Sequence, residues 1–115
     1  MKKGPYVPDV GHVIWLSLDP QQGREQAGRR PFLVLSPQAY NVKTSLAVGV
    51  PVTSARKGYP FEVPLPSELP VRGAVLSDHV RTIDWHARHA ERVGKVDAGT
   101  IAEVWAKLSA LVGEE

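Results

Sequence analysis

Two adjacent arginines end a glycine-flanked loop and stand directly before a predicted buried strand. The loop spans residues 23–31 with the sequence GREQAGRRP, in which Arg29 and Arg30 carry permanent positive charges. A guanidinium group matches phosphate oxygens with two parallel hydrogen bonds, and glycine permits backbone conformations that other residues resist. The loop therefore indicates a phosphate-binding site. The alternative is a solvated loop whose arginines are ordinary surface residues.

Arg30 and Thr53 are residue types that suit the cleavage of RNA without a metal. RNA carries its own nucleophile, the 2′-hydroxyl group, beside each scissile phosphate. The protein must then align the attack, stabilise extra negative charge on phosphorus and assist proton transfers. A guanidinium group and a hydroxyl donor can together stabilise that charge. For Thr53, the alternative is an ordinary strand threonine selected for its β propensity.

The charge distribution favours an anionic partner. The net charge is only +2, but residues 20–60 hold six basic residues and one acid, a formal charge of +5, while the remainder is net acidic. Such asymmetry is typical of a basic face, for which nucleic acid is the leading candidate. A solvated charged surface is the alternative.

Metal and cofactor chemistry are not predicted. The chain has no cysteine, and its four histidines, His12, His79, His86 and His89, show no spacing typical of metal ligands. The loop glycines are not followed by the Gly-Lys-Ser/Thr of a nucleotide-binding loop, and no Gly-x-Ser-x-Gly motif occurs. Two histidines acting as acid and base on RNA remain an alternative.

Short apolar runs separated by turn residues predict a mainly β protein. Strands are predicted over residues 10–18, 32–36, 45–53, 61–65, 73–76, 80–83 and 91–96. Pro51 interrupts the third of these strands. Because proline has no N–H group to donate, the side of the strand on which that group would lie is expected at an edge or a bulge. Ser36 is predicted to cap a short helix that has Pro37 in its first position.

One long helix is predicted near the C-terminus, with Asp97 as its N-cap and Gly113 at its end. Apolar residues recur at helical spacing along it, which predicts a face in a core or an interface. They are Ala98, Ile101, Val104, Trp105, Leu108, Leu111 and Val112. Many short strands with one terminal helix favour a β barrel or a strongly bent sheet, in a single domain covering residues 1–115.

Several segments together resemble the MazF/PemK family of toxin endoribonucleases, and most closely its MazF branch. The match extends from about residue 6 to residue 113, and its parts occur in the family's order. They are residues 8–15 (PDVGHVIW), 19–20 (DP), 23–31 (GREQAGRRP), 34–37 (VLSP), 40–41 (YN), 51–53 (PVT) and 57–63 (KGYPFEV).

The resemblance implies an SH3-like barrel that forms a homodimer. It implies metal-independent cleavage of single-stranded RNA at short sequences, leaving a 2′,3′-cyclic phosphate and a 5′-hydroxyl. The family's catalytic arginine falls on Arg30 and its catalytic threonine or serine on Thr53. A MazE-like antitoxin, with an acidic flexible tail lying across the basic groove, is the implied protein partner.

The resemblance also implies a set of substrate-binding positions. They are Glu25, Gln26, Arg29, Ser54, Lys57 and His79. For two of these positions an alternative stays open: Glu25 pairs with a neighbouring arginine, or Lys57 is a solvated loop tip.

The sequence contains no apolar run long enough to span a membrane, and no segment of signal-peptide type follows the charged N-terminus. A cytoplasmic protein is therefore expected.

The rival function is that of a non-enzymatic toxin of the same fold class that poisons DNA gyrase by protein contact. A third possible function is that of a protein that binds RNA without cutting it. Fold alone does not separate these.

Overall fold

The computed structural model describes residues 5–17 and 29–113 of the chain. Within them, seven strands form one antiparallel sheet that two helices accompany. In chain order the elements are β1 (His12–Ser17), β2 (Arg29–Val34), α1 (Gln38–Thr44), β3 (Leu46–Thr53), β4 (Glu62–Pro64), β5 (Ala74–Leu76), β6 (Arg81–Asp84), β7 (Glu91–Lys95) and α2 (Ala98–Val112). The predicted mainly β class with one C-terminal helix is confirmed.

Strand β3 is the centre of the sheet, because it belongs to two strand layers. One of its edges pairs with β2, and the other pairs with β6 over its first half and with β5 at its end. The hydrogen-bonded order of the strands is β4-β5-β3-β2-β1-β7, and β6 lies off this path beside β3. Pro51 pairs with Phe32 on the β2 side and lies between the stretches of β3 that pair with β6 and β5. A residue without an N–H fits that gap.

The sheet buries an apolar cluster on each face, because successive side chains of a strand point to opposite sides. Val13 and Leu33 belong to one cluster, which also contains Val104 and Leu108 of α2. Ile14 and Phe32 belong to the other. The two clusters fix the register of β1 and β2, since a slip of one residue would exchange the faces.

Helix α2 begins after Asp97 and ends at Gly113, as predicted. Its predicted apolar stripe is only partly covered: Val104 and Leu108 are buried, whereas Trp105, Leu111 and Val112 are 44%, 51% and 67% exposed. Gly113 has an extended backbone (φ −76°) and not a left-handed one, and a Cβ atom at this position would lie 2.6 Å from the Ser109 carbonyl oxygen.

The predicted cap of α1 is wrong. Pro37 occupies the N-cap position, and the N–H of Gln38, the first helical residue, donates to Asp9 Oδ1 at 3.0 Å. The Ser36 hydroxyl instead donates to Asn41 Oδ1 (2.6 Å) and accepts from the N–H of Val48 (2.9 Å). Asn41 is fully buried, and its Nδ2 donates to the carbonyl oxygens of Pro8 and Ser36. The serine therefore belongs to a buried polar network that ties the N-terminal segment and β3 to α1.

Candidate active site

The register of the sheet brings Arg30 and Thr53 to the same end. In the β2–β3 pair, Phe32 lies opposite Pro51, and Arg30 and Thr53 are each two residues beyond that pair. Both residues line an open cleft of about 560 Å³, here called the arginine cleft. Two residues that are 23 positions apart in the sequence are thus placed at one site by the pairing of β2 with β3.

The arginine cleft is rich in cationic and hydroxyl groups. Arg29, Arg30 and Arg72 line it together with Thr53 and Ser54, and no acidic residue of the described chain is among its lining. Three guanidinium groups in a cleft whose lining holds no carboxylate favour an anion with several oxygens, of which phosphate is the best match. This cleft is the strongest candidate for the chemistry.

Arg29 is held in place on two sides. Its guanidinium lies over the ring of Trp15, 4.8 Å from the centroid, and its Nη1 pairs with the Glu91 carboxylate. Strands β1 and β7 supply these two groups, and β1 also pairs with β2 at the Ser17–Arg29 position. Arg29 is still half exposed, so one side of the guanidinium can reach an anion in the cleft.

Thr53 presents its hydroxyl group in a defined orientation. The N–H of Ala55 donates to Thr53 Oγ1 at 3.0 Å. Since the oxygen accepts that bond, the hydroxyl proton can be donated elsewhere. A partly exposed threonine hydroxyl beside guanidinium groups can therefore donate to an oxygen of a bound phosphate.

Thr53 also lines a second cleft of about 300 Å³ on its other side, here called the histidine cleft. Lys57, Tyr59, Asp78 and His79 form much of its wall. His79 Nε2 lies 3.8 Å from Asp78 Oδ1. The structure thus unites Lys57 and His79 in one cleft and Arg29, Arg30 and Ser54 in the other, with Thr53 common to both.

The segment that carries Lys57 is anchored by Glu62. The two carboxylate oxygens of Glu62 accept the N–H groups of Lys57 (3.0 Å) and Gly58 (3.1 Å). These bonds, with the nearby charge of Arg56, lower the pKa of the Glu62 carboxyl even though burial acts in the opposite direction. The carboxylate is therefore ionised and accepts both bonds at neutral pH.

Sequence reasoning missed four residues of these clefts. Arg72 lies outside the basic window of residues 20–60, and Tyr59, Glu62 and Asp78 were not selected. Glu62 carried one signal, since it is the only acid in the basic segment 54–63.

The predicted substrate residues Glu25 and Gln26 lie outside the described residues. Among the described residues, no group of three or more potential ligands could hold a metal ion.

Arg30 also lines a third cavity, of about 440 Å³. Phe32, Pro51 and Ile83 contribute its apolar surface, and Arg81 and Arg88 stand at its border. Arg30 and Pro31 thus line both this cavity and the arginine cleft. Within residues 5–17 and 29–113, no helix is long and apolar enough to cross a membrane.

The chain resembles known proteins over most of its length. Residues 9–112 match the family described as PemK-like, MazF-like toxin of type II toxin-antitoxin system. The chain is 46% identical over 108 residues to the endoribonuclease toxin MazF of Escherichia coli K12, covering 94% of this chain and 96% of that protein. It is 41% identical over 104 residues to the endoribonuclease PemK of Escherichia coli, covering 86% of this chain and 78% of that protein.

The fold also matches that of a solved structure. A chain in the crystal structure of MazE-MazF from Deinococcus radiodurans superposes with a TM-score of 0.86 at 50% identity, covering 96% of this chain and 100% of that chain. These matches confirm the family resemblance predicted from the sequence and the SH3-like barrel that goes with it.

Proposed function

The chain belongs to the PemK-like, MazF-like toxin family of type II toxin-antitoxin systems, and on that premise we propose that it is a sequence-specific endoribonuclease toxin. Its substrate is single-stranded mRNA, whose cleavage inhibits translation and growth. The observation that carries the proposal is the presence of Arg30 and Thr53 in one cleft with two further arginines.

The reaction uses the nucleophile that RNA itself provides. The 2′-oxygen attacks the adjacent phosphorus and loses its proton, the bond from phosphorus to the 5′-oxygen breaks, and the 5′-oxygen gains a proton. The products are a 2′,3′-cyclic phosphate and a 5′-hydroxyl. Neither a metal nor a cofactor is required for this balance of atoms and charges.

Arg30 and Thr53 stabilise the charge that develops on phosphorus. The Arg30 guanidinium stays protonated, so it acts as an electrostatic partner of the equatorial oxygens and not as a base. The Thr53 hydroxyl donates to one of those oxygens. Removal of one such preorganised donor typically costs about 10²–10³ in kcat.

Substrate binding involves both clefts. Arg29 and Ser54 contact phosphates in the arginine cleft, and Lys57 and His79 contact the RNA in the histidine cleft. Glu25 and Gln26 belong to the same proposal on the strength of their positions in the family's loop. Each contact with a phosphate releases counterions, so binding should weaken steeply as salt rises.

The proposed assembly is a homodimer of single-domain chains that a MazE-like antitoxin neutralises in the cytoplasm. The positive charge of the arginine cleft attracts an acidic antitoxin segment to the place where RNA would bind. Antitoxin and RNA would then exclude each other by competing for the same positive charge.

A direct test is the cleavage of a long RNA of mixed sequence in EDTA, with the new 5′ ends mapped and their phosphorylation determined. Cuts at a recurring short sequence with 5′-hydroxyl ends are expected. Arg30→Ala and Thr53→Val should each lower kcat by about 10²–10³. Matched controls are Arg92→Ala and Thr82→Val, which alter exposed residues of β7 and β6 outside both clefts.

Two outcomes would contradict the proposal. Intact RNA after incubation with folded protein would favour the gyrase-poison alternative, particularly if the same protein inhibits supercoiling. Cleavage by Arg30→Ala at the parental rate would exclude Arg30 from the chemistry while leaving the nuclease activity established.

A further inference from the structure

The histidine cleft has a different chemical character from the arginine cleft. Tyr59 is 59% exposed at its rim, and Leu76 adds apolar surface. Asp78 offers acceptors, Lys57 offers donors, and His79 can do either. An exposed aromatic ring beside hydrogen-bonding groups of both kinds suits a planar, polar-edged ligand better than it suits a phosphate.

The position of this cleft limits what such a ligand can be. Thr53 lines both clefts, so a chain whose phosphate sits beside Thr53 in the arginine cleft has its neighbouring group at the histidine cleft. In single-stranded RNA the ribose next to that phosphate carries a nucleobase, which is a planar group with polar edges. Bases in single strands are recognised by stacking on aromatic side chains and by hydrogen bonds to their edges.

Glu62 holds the backbone of the segment that carries Tyr59. The carboxylate accepts the N–H groups of Lys57 and Gly58, and the Glu62 N–H donates to the carbonyl oxygen of Tyr59 at 3.0 Å. Glu62, which is only 9% exposed, thus holds residues 57–59 through three hydrogen bonds. Gly58 takes a left-handed conformation (φ +78°) within this segment, which glycine adopts at little cost.

We propose that the histidine cleft binds one nucleobase of the RNA next to the scissile phosphate, that Tyr59 stacks on this base and contributes to sequence specificity, and that Glu62 is a positioning residue for Tyr59. This inference rests on the proposed endoribonuclease function. It assigns to Tyr59 and Glu62 roles that the chemistry at Arg30 and Thr53 does not require.

The test compares Tyr59→Ala, Tyr59→Phe and Glu62→Gln with the parental chain on the mapped RNA. Loss of one stacking partner should raise KM about five- to hundred-fold, with a smaller change in kcat, and should relax the base preference at one position of the cleavage sequence. Tyr59→Phe keeps the ring and should retain the parental sites. Tyr40→Ala is the matched control, because Tyr40 is an exposed tyrosine on α1 outside both clefts.

Glu62→Gln keeps the shape of the side chain but can accept only one of the two N–H groups through its amide oxygen. It should raise KM in the parental background and raise it by a smaller factor in Tyr59→Ala, because part of its effect passes through the ring of Tyr59 and part through Lys57. Fully additive effects of the two substitutions would contradict a role of Glu62 in positioning Tyr59. Circular dichroism and thermal unfolding show whether each variant is folded.

The outcomes distinguish this inference from the function on which it rests. A folded Tyr59→Ala protein that cuts the same sites with parental KM overturns the base site and leaves the nuclease intact, even if binding of an antitoxin peptide is weakened. A parental protein that never cuts RNA overturns both. A binding assay with the 2′-O-methyl form of the mapped site separates lost affinity from lost chemistry.

Discussion

Gly73 approaches Thr53 so closely that a Cβ atom on Gly73 would lie 2.2 Å from the Thr53 carbonyl oxygen. Ala74, the next residue, pairs with Thr53 in the β3–β5 ladder. Gly73 also has a positive φ of +133°, a region that residues with a Cβ rarely adopt. The backbone of the proposed catalytic threonine is therefore set by a glycine 20 positions away.

Gly73→Ala should impair both folding and activity. Neither backbone can move without breaking the pairing of β5 with β3, so we expect a loss of about 1–3 kcal/mol in the free energy of unfolding from conformational strain alone, before the clash is counted. Urea unfolding and the kcat for RNA cleavage measure the two effects. Gly58→Ala is the control, because Gly58 also has a positive φ but has nothing within 4 Å of its Cβ position. Equal losses in the two variants would show that the close approach is unimportant.

Much of the fold could be predicted from short-range pattern. The alternation of apolar residues in 45–53 predicts β3, and the helical spacing of 98–112 predicts α2, because each pattern reflects a face that must be buried. Pattern could not show that β3 divides one edge between β5 and β6. That arrangement depends on pairings between distant segments.

The site was less predictable than the fold, because its geometry depends on long-range contacts. Arg30 and Thr53 were identified through their residue types and the family resemblance. The sequence contains no local signal that Glu91 pairs with Arg29, 62 residues away. Glu62 was predicted as an ordinary strand residue, since a period-two pattern cannot show that a carboxylate turns back to bind the N–H groups of Lys57 and Gly58.

Glu91→Gln should free Arg29 for phosphate contacts. The Arg29–Glu91 pair is exposed, with the two side chains 46% and 65% accessible, so its loss should change the free energy of unfolding by less than about 1 kcal/mol. Without the competing carboxylate, the KM for RNA should fall at low ionic strength and the difference should shrink as salt rises. A KM that rises would instead show that Glu91 holds Arg29 in its productive orientation.

Leu108 and Leu111 offer a matched comparison on helix α2. Leu108 is 5% exposed in the core, whereas Leu111 is 51% exposed. Leu108→Ala should lower the free energy of unfolding by about 2–5 kcal/mol, and Leu111→Ala by less than about 0.5 kcal/mol. Urea unfolding at several protein concentrations measures both. A large, concentration-dependent loss in Leu111→Ala would place that side chain in the interface of the proposed homodimer.

His12 should make stability depend on pH. The N–H of Asp9 donates to His12 Nδ1 at 3.2 Å, which requires that nitrogen to be unprotonated. The Tyr6 hydroxyl, 2.7 Å from the same atom, then donates to it as well. Burial lowers the pKa of His12 below its ordinary value of 6.5, the charges of Arg92 and Lys95 lower the pKa further, and Asp9 opposes them.

The sign follows from the protons bound by each state. As pH falls below about 6.5, the unfolded chain protonates His12 before the folded chain does, so the free energy of unfolding should decrease. The slope has a ceiling of about 1.4 kcal/mol per pH unit for one group, and partial solvation of the ring reduces it. Burial also raises the pKa of Tyr6 to about 12. The free energy of unfolding should therefore fall again as pH rises from about 10 to 12, because Tyr6 ionises in the unfolded chain before it does in the folded chain.

Urea unfolding at pH 7.5 and pH 5.5 measures the acid limb, and His12→Gln isolates the contribution of the ring. We expect the pH dependence of this variant to be flatter over that interval, because glutamine does not titrate. Since His86 and His89 are exposed, His86→Gln should keep the parental slope and serves as the matched control. An NMR titration that gave His12 a pKa of 6.5 or above would contradict the argument, because a ring that accepts two hydrogen bonds at Nδ1 must resist protonation there.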